Sequence, residues 1–332
     1  MQPTQKELLN EFLTQWQAAK GITVRTSGST GTPKEIVLPH SQLLRSASRS
    51  NKFFGITKSG RLHSAMSFQF IGGKMMIARS LVSGCQLTYS EPSLELEPIG
   101  GERDVNLMCL VPAQLPFILE NLDKFQNIKG YLIGGSAIDD RLWDRIVTSG
   151  LNAWESYGMT ETATHVAMRR ICGSSKRRPL FVPLPGVKIS LGEDKSIHIQ
   201  DGDISVTTTD LASMNQDGTF EIIGRKDDII NSGGIKILPQ EVEQQLLEYI
   251  GPFCQSFYIS SVPHIVWTSK LILVAVPSSP QLYDIKTQLM DIIQNIPEKS
   301  LPRRFRPKDV IIVDQLPRTQ SGKLNRRYKF EL

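Results

Sequence analysis

The feature that most constrains the fold is the alternation of short apolar runs with helical stretches in the first half of the chain. The apolar run 105–111 precedes a predicted helix at about 112–122. The run 129–133 precedes Gly134-Gly135-Ser136 and a second helical stretch. This strand–helix–strand order predicts a sheet with covering helices.

The pattern changes near Phe181, where short strands and turns replace the helical stretches. A strand is predicted at 204–208, and the polar residues 215–218 have the composition of a hairpin turn. No internal repeat or low-complexity segment interrupts the chain.

A third pattern begins at Gly224 and predicts a compact αβαβ unit, large enough to form a domain of its own. Pro239 suits the first turn of a helix, and apolar strands are predicted at 271–276 and 309–313. Two helices are indicated by apolar faces, which consist of Val242, Leu246, Leu247 and Ile250, and of Leu282, Ile285, Leu289, Ile292 and Ile296. We therefore expect two domains, residues 1–223 and 224–332.

Composition excludes several classes of protein. With 332 residues and 40% hydrophobic content, the chain is neither disordered nor a coiled coil nor collagen-like. Its longest apolar run, 271–276, is far shorter than the roughly 18 residues that span a bilayer. The N-terminal residues form one amphipathic helical face without a signal core, and the four cysteines lack a CxxC pair. We expect a cytoplasmic protein with reduced thiols.

The net charge of +5 is concentrated in three basic clusters. Each cluster is either solvated surface or a contact for a polyanionic ligand. No aromatic or helical module for binding nucleic acid accompanies them, so a nucleic-acid partner is not expected. The clusters are Arg169, Arg170, Lys176, Arg177 and Arg178; Arg303, Arg304, Arg306 and Lys308; and Lys323, Arg326 and Arg327.

The segment Thr26-Ser27-Gly28-Ser29-Thr30-Gly31-Thr32-Pro33-Lys34 is the strongest functional motif. Its small hydroxyl residues and glycines expose backbone N–H groups that suit a polyphosphate, and Lys34 adds a positive charge. The segment does not match the GxxxxGK[ST] phosphate loop. Judged on composition alone, it also fits a flexible connector.

The nine-residue string resembles the phosphate loop of the acyl-adenylate-forming (AMP-binding) superfamily, and further family motifs follow in the family's order. The resemblance covers residues 25 to 327. The matching segments are Gly134-Gly135-Ser136, Ser156 to Thr162 (SYGMTET), Thr209-Asp210, Gly224 to Asp228 (GRKDD), Ser232 to Lys236 with Glu241, and Pro317 to Lys323 (PRTQSGK).

The resemblance implies an α/β fold with a large N-terminal αβ domain and a small mobile α+β C-terminal lid. It implies an enzyme that uses ATP, Mg²⁺ and coenzyme A, in which a carboxylate is adenylated and then transferred to a thiol. Mg²⁺ takes one or two carboxylates together with phosphate oxygens, and Glu161 is the implied ligand. Thr160 would contact the α-phosphate, and Lys323 would bridge the substrate carboxylate and that phosphate.

The same resemblance implies the remaining nucleotide, hinge and thiol contacts. Tyr157 would stack on adenine, although a buried tyrosine of the core is the alternative. The adenine would be bordered by Gly134, Gly135, Ser136 and Gly158. The phosphates would be bound by the loop from Thr26 to Lys34. Asp210 and Arg225 would bind the ribose, Asp227 would be the hinge, and Ser232, Gly233 and Gly234 would contact the pantetheine arm.

The sequence departs from the family pattern in two places. Only 25 residues precede Thr26, so the resemblance predicts an abbreviated large domain that lacks most of the usual N-terminal subdomain; the missing part of the acyl pocket is then absent or supplied by a partner subunit. Phe70 stands where many relatives have a histidine that gates the acyl pocket.

The abbreviated length and the segments 71–84 and 157–169 look most like the short o-succinylbenzoate–CoA ligases of menaquinone biosynthesis. Gln69, Phe70, Lys74 and His165 are the candidate contacts in the acyl pocket, and His165 is equally compatible with a packing role. Other acids, a carrier-protein acceptor and a non-catalytic nucleotide-binding protein remain alternatives. The sequence leaves the oligomeric state open, a homo-oligomer included.

Overall fold

The computed structural model describes residues 3–26, 34–100, 104–279, 284–318 and 324–330. The chain divides into two compact units. Unit 1 comprises residues up to 190, 198–206 and 215–220, and unit 2 comprises 191–197, 207–214 and the residues from 221 onwards. The domain boundary expected between residues 223 and 224 stays a prediction.

Unit 1 is built around a seven-stranded sheet in the order β4-β3-β5-β6-β7-β8-β9. Strands β3 to β7 are parallel to one another, β8 is antiparallel to β7, and β9 is antiparallel to β8. A separate antiparallel hairpin is formed by β1 and β2. The elements are α1 (Gln5–Gln17), β1 (Ile22–Thr26), β2 (Lys34–Leu38), α2 (His40–Phe53), β3 (Arg61–Ser64), α3 (Ile71–Ser83), β4 (Gln86–Tyr89), β5 (Leu107–Leu110), α4 (Leu115–Glu120), β6 (Tyr131–Ile133), α5 (Asp140–Ser149), β7 (Ala153–Met159), β8 (Thr164–Arg170) and β9 (Val182–Pro183).

The sheet of unit 1 is covered on both faces. All four residues of β5 are buried, as expected for a parallel strand between two helical layers. Met108 and Leu110 pack with Trp143 of α5 in one core, whereas the Cys109 sulfur contacts Arg79 of α3 on the opposite face. Alternate residues of β5 therefore pack on opposite faces of the sheet. The strand–helix order predicted from the sequence is confirmed.

A four-stranded sheet in the order β10-β11-β12-β13 contributes residues to both units. The hairpin turn predicted at 215–218 lies between its last two strands, where the Asn215 N–H donates to the Thr219 carbonyl (2.8 Å). The strands are β10 (Val187–Leu191), β11 (Ser196–Asp201), β12 (Ile204–Met214) and β13 (Phe220–Arg225).

The C-terminal part of unit 2 packs two helices on a three-stranded sheet. Leu246, Leu273 and Leu289 lie in the core between them, and Pro239 begins the first helix as predicted. The opposite face of the sheet carries Tyr258 and Val274. The elements are β14 (Ile230–Ser232), β15 (Ile235–Ile237), α6 (Pro239–Ile250), β16 (Cys254–His264), β17 (Thr268–Pro277), α7 (Ile285–Asn295) and β18 (Val310–Ile312).

None of the helices within the described ranges is both long enough and apolar enough to cross a bilayer.

Candidate active site

Two of the predicted motifs meet at the carboxyl ends of neighbouring parallel strands. Ile133 of β6 pairs with Glu155 of β7, so Gly134 follows one strand beside Ser156 of the other. The Ser156 hydroxyl donates to the Ile133 carbonyl (2.9 Å). A Cβ on Gly134 would lie 2.6 Å from the same hydroxyl oxygen. Ligands of parallel α/β sheets bind at this edge, so the fold places both motifs where a ligand is expected.

Tyr157 is 8% exposed and belongs to an aromatic cluster of unit 1. Its ring centroid lies 5.6 Å from that of Phe220, edge to face, and 6.0 Å from that of Phe181. Edge-to-face geometry at these distances is favourable for aromatic pairs. Tyr157 is therefore packed as a core residue at the end of β7. Its stacking on adenine stays a prediction.

Gly158 is required by a close approach of two backbone segments. It pairs with His165 across β7 and β8, at a shift in the register of the two strands. A Cβ on Gly158 would lie 2.0 Å from the carbonyl oxygen of Thr164, a distance that no side chain can occupy. The glycine of the YGMTE motif thus lets β8 return directly beside the motif.

The turn after Gly158 has an unusual backbone. Residues 160–162 form one turn of 3-10 helix, and Ala163 and Thr164 then have φ angles of +49° and +84°. Residues other than glycine rarely occupy this region, because the Cβ crowds the backbone. The Thr162 hydroxyl donates to the Thr164 carbonyl (2.7 Å) and accepts from the Met159 N–H (3.1 Å).

Helix α2 supports this turn from outside. The Gln42 amide donates to the Glu161 carbonyl (2.7 Å), and the Ser46 hydroxyl donates to the Ala163 carbonyl (2.8 Å). Both side chains are buried and lie one turn apart on α2. Glu161 is half-buried. These bonds hold the backbone of the predicted metal ligand at a fixed position relative to α2.

The predicted phosphate loop is described only at its ends. Thr26 and Lys34 are register partners at the open end of the β1–β2 hairpin. The main chain of these two residues is thus held together where the loop begins and ends. Ser27, Gly28, Ser29, Thr30 and Gly31 lie outside the described residues.

The four candidate contacts of the acyl pocket fall into two groups. Gln69 and Phe70 are exposed just before α3, whereas Lys74 and His165 are each 4% exposed. Burial lowers the pKa of Lys74, and the charge of Glu11 partly opposes this shift. Burial, together with the charges of Arg79 and Arg49, holds the pKa of His165 well below its usual value. His165 is therefore a neutral imidazole at pH 7.

Arg79 is a site candidate that the sequence analysis missed. It is 1% exposed, and no carboxylate of the described residues forms an ion pair with it. Its Nε donates to the Ser50 hydroxyl (2.9 Å), while Nη2 lies 3.4 Å from the Thr164 hydroxyl and 3.3 Å from His165 Nδ1. Its Nη1 faces the sulfur atoms of Met76 and Cys109, which are weak acceptors. The sequence feature that could have identified Arg79 is its position as a charged residue within the largely apolar segment 71–84.

Arg79 places a positive charge behind the Thr164 turn, beside the neutral imidazole of His165. The Nε2 atom of His165 is buried and has no hydrogen-bond partner among the described residues. A buried cation without a carboxylate is costly, because desolvation penalises the charged form. Such a pair is suited to the binding of an anionic group at the turn.

Unit 2 brings the predicted ribose-binding residues together. Arg225 Nη1 lies 2.8 Å from Asp210 Oδ1, and its Nη2 donates to the Thr209 hydroxyl (2.6 Å). The same Nη2 lies 3.3 Å from Asp227 Oδ2, at the predicted hinge. The Arg225 side chain is 43% exposed and so remains open to solvent. The predicted hinge residue and the ribose residues are therefore linked by one guanidinium.

The predicted pantetheine-binding segment is a tight hairpin turn. Ser232 pairs with Ile235, so Gly233 and Gly234 are the two turn residues between β14 and β15. Their φ angles are +60° and +80°, as a type I′ turn requires. Both glycines are exposed, and no heavy atom lies within 4 Å of a Cβ built on Gly234. Lys323 lies outside the described residues.

Several arginines of the basic clusters have internal partners. Arg169 is buried and pairs with Glu155 (2.6 Å), and Arg178 pairs with Asp140. Arg306 donates to the carbonyls of Leu301 and Gln294, at 2.9 and 2.6 Å. These guanidinium groups form ion pairs and hydrogen bonds within the chain. The clusters are therefore less available to a polyanion than their spacing suggests.

Comparison with known proteins places the chain in a family. A sequence profile of the AMP-binding enzyme matches residues 24–204, more than half of the chain. A profile of the AMP-binding enzyme C-terminal domain matches residues 241–323. The 2-succinylbenzoate–CoA ligase of Listeria monocytogenes is 26% identical over 344 residues, which cover 95% of this chain and 71% of that protein.

Solved structures agree with this placement. The acyl-CoA synthetase (AMP-forming)/AMP-acid ligase II-like protein of Dyadobacter fermentans has a TM-score of 0.62 at 28% identity, covering 97% of this chain and 92% of its own. The o-succinylbenzoate coenzyme A synthetase of Bacillus subtilis, solved with ATP and magnesium, has a TM-score of 0.73 at 22% identity, covering 92% and 68%. The fold is that of adenylate-forming enzymes, with an N-terminal and a C-terminal domain. The profile matches and this fold make the chain a member of the AMP-binding enzyme family.

Proposed function

We propose that the protein is an ATP-dependent acid–CoA ligase acting on o-succinylbenzoate. A carboxylate oxygen of the acid attacks the α-phosphorus of ATP, and the bond to pyrophosphate breaks. The thiol sulfur of coenzyme A then attacks the acyl carbon, and AMP leaves. The observation that carries the proposal is the meeting of Gly134–Ser136 with the YGMTE turn at the carboxyl edge of the sheet, in a chain whose family is the AMP-binding enzyme.

The nucleotide contacts are proposed from the family motifs. The proposal assigns the adenine to Tyr157 and to the backbone at Gly134, Gly135, Ser136 and Gly158, and the ribose to Asp210 and Arg225. The ion pair between Arg225 and Asp210 fixes the orientation of the carboxylate, and a carboxylate accepts hydrogen bonds from hydroxyl groups such as those of a ribose. Thr160, Lys34 and the loop from Thr26 to Gly31 would contact the phosphates.

Mg²⁺ fits the residues present through Glu161. Among the described residues, no group of three His, Cys, Asp or Glu side chains could hold a metal ion by itself. A site with one protein carboxylate and phosphate oxygens is the usual arrangement for Mg²⁺. Bound there, Mg²⁺ would neutralise charge on the phosphates. The protein's contribution is to hold the backbone of Glu161 through Gln42.

Three proposed roles concern unit 2. Lys323 would stabilise the developing charge while the carboxylate attacks the α-phosphorus, a role that suits a compact ammonium on a flexible stem. Asp227 would be the hinge, and Ser232, Gly233 and Gly234 would border the thiol-bearing arm of coenzyme A. A turn without side chains lets the arm lie close to the backbone.

The proposed acid is supported by the buried cation in unit 1. o-Succinylbenzoate carries two carboxylates, and only one of them is activated. Arg79 supplies a positive charge behind the Thr164 hydroxyl, which can donate to the second carboxylate. Lys74 is a further buried cation on the same helix. The relative from Listeria named above carries the same substrate in its name.

The test is a coupled ligation assay with purified protein, ATP, Mg²⁺ and coenzyme A. o-Succinylbenzoate is compared with benzoate, acetate and a long-chain acid, and pyrophosphate release is measured. We expect a kcat/KM for o-succinylbenzoate that exceeds the others by at least about 100-fold. If another acid is preferred, that acid is the substrate in place of o-succinylbenzoate. If the acyl group is transferred only to a phosphopantetheinyl carrier protein, that protein is the acceptor in place of coenzyme A. If no acid gives pyrophosphate, the proposed function is wrong.

A further inference from the structure

The chain on either side of the proposed catalytic lysine motif is joined to itself and to unit 2. Arg318 forms an antiparallel bridge with Leu324, and the Asn325 N–H donates to the Pro317 carbonyl (2.8 Å). Leu324 and Phe330 pack on the face of the three-stranded sheet that carries Tyr258. Residues 317–318 and 324–325 thus form a closed stem with a defined position on the sheet.

Arg326 follows this stem directly and is held by two carboxylates. Its Nη1 and Nη2 bind the two oxygens of Glu243, the latter at 2.7 Å, in a bidentate pair. Its Nε lies 3.6 Å from Asp228 Oδ2. The three side chains are only 14 to 18% exposed. A planar guanidinium in a bidentate pair fixes geometry as well as charge.

The two carboxylates belong to elements with fixed positions. Glu243 lies on α6, and its Oε1 also accepts the N–H of Ile259 in β16 (2.7 Å). Asp228 accepts from the Gln240 amide (2.9 Å) and follows the proposed hinge residue, Asp227. Among the described residues, Arg326 is the cation that forms ion pairs with both carboxylates. It therefore connects the chain after the stem to α6, to β16 and to the turn at 226–228.

We propose that Arg326 is a positioning residue for the lysine motif. It holds the C-terminal side of the stem on α6, so that the segment bearing Lys323 starts and ends at fixed points. This inference rests on the proposed role of Lys323 in adenylation. A misplacement of about 1 Å in a reacting group can cost on the order of 100-fold in rate. Thioester formation, in which Lys323 has no proposed role, should not depend on Arg326.

The test compares Arg326→Ala and Arg326→Lys with a matched control, Arg303→Ala. The Arg303 side chain is 84% exposed and lies in the same unit, and its Nε is 3.9 Å from Glu298 Oε2. We expect Arg326→Ala to lower the kcat of adenylation by about 10- to 100-fold, with the KM for ATP and acid changed less than about twofold. Arg326→Lys should fall between the wild type and Arg326→Ala, since it keeps the charge and loses the fork. The control should match the wild type.

Two further measurements separate positioning from general stability. The rate of thioester formation from added acyl-adenylate should change less than about threefold in Arg326→Ala. Hydrogen exchange of peptides from 316–327 should become faster in Arg326→Ala, while exchange in α7 stays as in the control. This second measurement does not depend on activity, so it tests the anchoring even if the proposed function is wrong.

The outcomes that overturn the inference are specific. Equal loss of both half-reactions, or adenylation unchanged in Arg326→Ala, contradicts a positioning role. Unchanged exchange at 316–327 contradicts the anchoring itself. If Arg326→Ala does not fold, the rates of adenylation and of thioester formation are compared in Arg326→Lys instead. A wild-type protein that releases no pyrophosphate with any acid overturns the proposed function instead, and with it the link to Lys323.

Discussion

Replacing Arg79 with methionine removes the buried charge behind the Thr164 turn and leaves a side chain of similar length. A carboxylate that accepts from the Thr164 hydroxyl would lie roughly 6 Å from the guanidinium, because Nη2 is 3.4 Å from that hydroxyl. At an effective dielectric constant of about 20, two opposite charges at that distance attract by about 2.8 kcal/mol. This energy corresponds to about 100-fold in affinity.

The assay for Arg79→Met uses two acids that differ in one carboxylate. o-Succinylbenzoate carries the ring carboxylate, and 4-oxo-4-phenylbutanoate lacks it. We expect the kcat/KM for o-succinylbenzoate, divided by that for 4-oxo-4-phenylbutanoate, to fall by about 100-fold in the variant. Most of this change should be a lower kcat/KM for o-succinylbenzoate. The exposed Arg145, which pairs with Glu120 on the surface, provides the control Arg145→Met.

Stability distinguishes this role from a structural one. Desolvation penalises a buried charge that has no carboxylate partner, and an apolar residue of similar length at this position removes that cost. We therefore expect Arg79→Met to keep or raise the melting temperature. An unchanged ratio of the two acids would refute the electrostatic reasoning. A large fall in melting temperature with the ratio intact would show that Arg79 acts as a packing residue.

Three further predictions concern other parts of the molecule. Lys323→Ala should lower the rate of pyrophosphate exchange by about 100- to 1000-fold while ATP binding, measured by calorimetry, is retained; normal exchange contradicts the assignment. Gly158→Ala should destabilise the protein by about 3 kcal/mol or more in denaturant titrations, because its Cβ would lie 2.0 Å from the Thr164 carbonyl; wild-type stability contradicts this. Burial and the charge of Arg61 lower the pKa of His63 to about 4. The imidazole therefore binds a proton less readily in the folded state than in the unfolded state, and the free energy of unfolding should fall as the pH drops from about 6.5 to 4. His63→Gln should flatten that part of the pH profile, and an unchanged profile contradicts the shift.

The architecture was predictable because it depends on local patterns. The apolar faces of Val242, Leu246 and Ile250 and of Ile285 and Leu289 are buried in the core of unit 2, as the helical spacing indicated. The strand–helix order of unit 1 likewise follows from short apolar runs between turn residues. Such patterns act over 5 to 15 residues, a range in which one sequence contains the whole signal.

The roles of the charged side chains were less predictable. Arg326 finds Glu243 across 83 residues, and Arg79 meets His165 across 86. The partner of a long side chain is set by the tertiary fold, and its spacing in the sequence does not reveal it. The YGMTE motif could be located from the sequence. The support of its turn by Gln42 and Ser46 could not, because α2 lies more than 110 residues away in the chain.

That support has a consequence for protein engineering. The YGMTE motif marks the end of β7 and the turn after it as one continuous segment that could be exchanged between adenylating enzymes. Here the left-handed backbone at Ala163 and Thr164 is held by two side chains of a distant helix. A graft of residues 156–165 into a homologous scaffold would keep those donors only where the scaffold has glutamine and serine at the equivalents of positions 42 and 46. The transferable module is therefore discontinuous: one loop together with one face of α2.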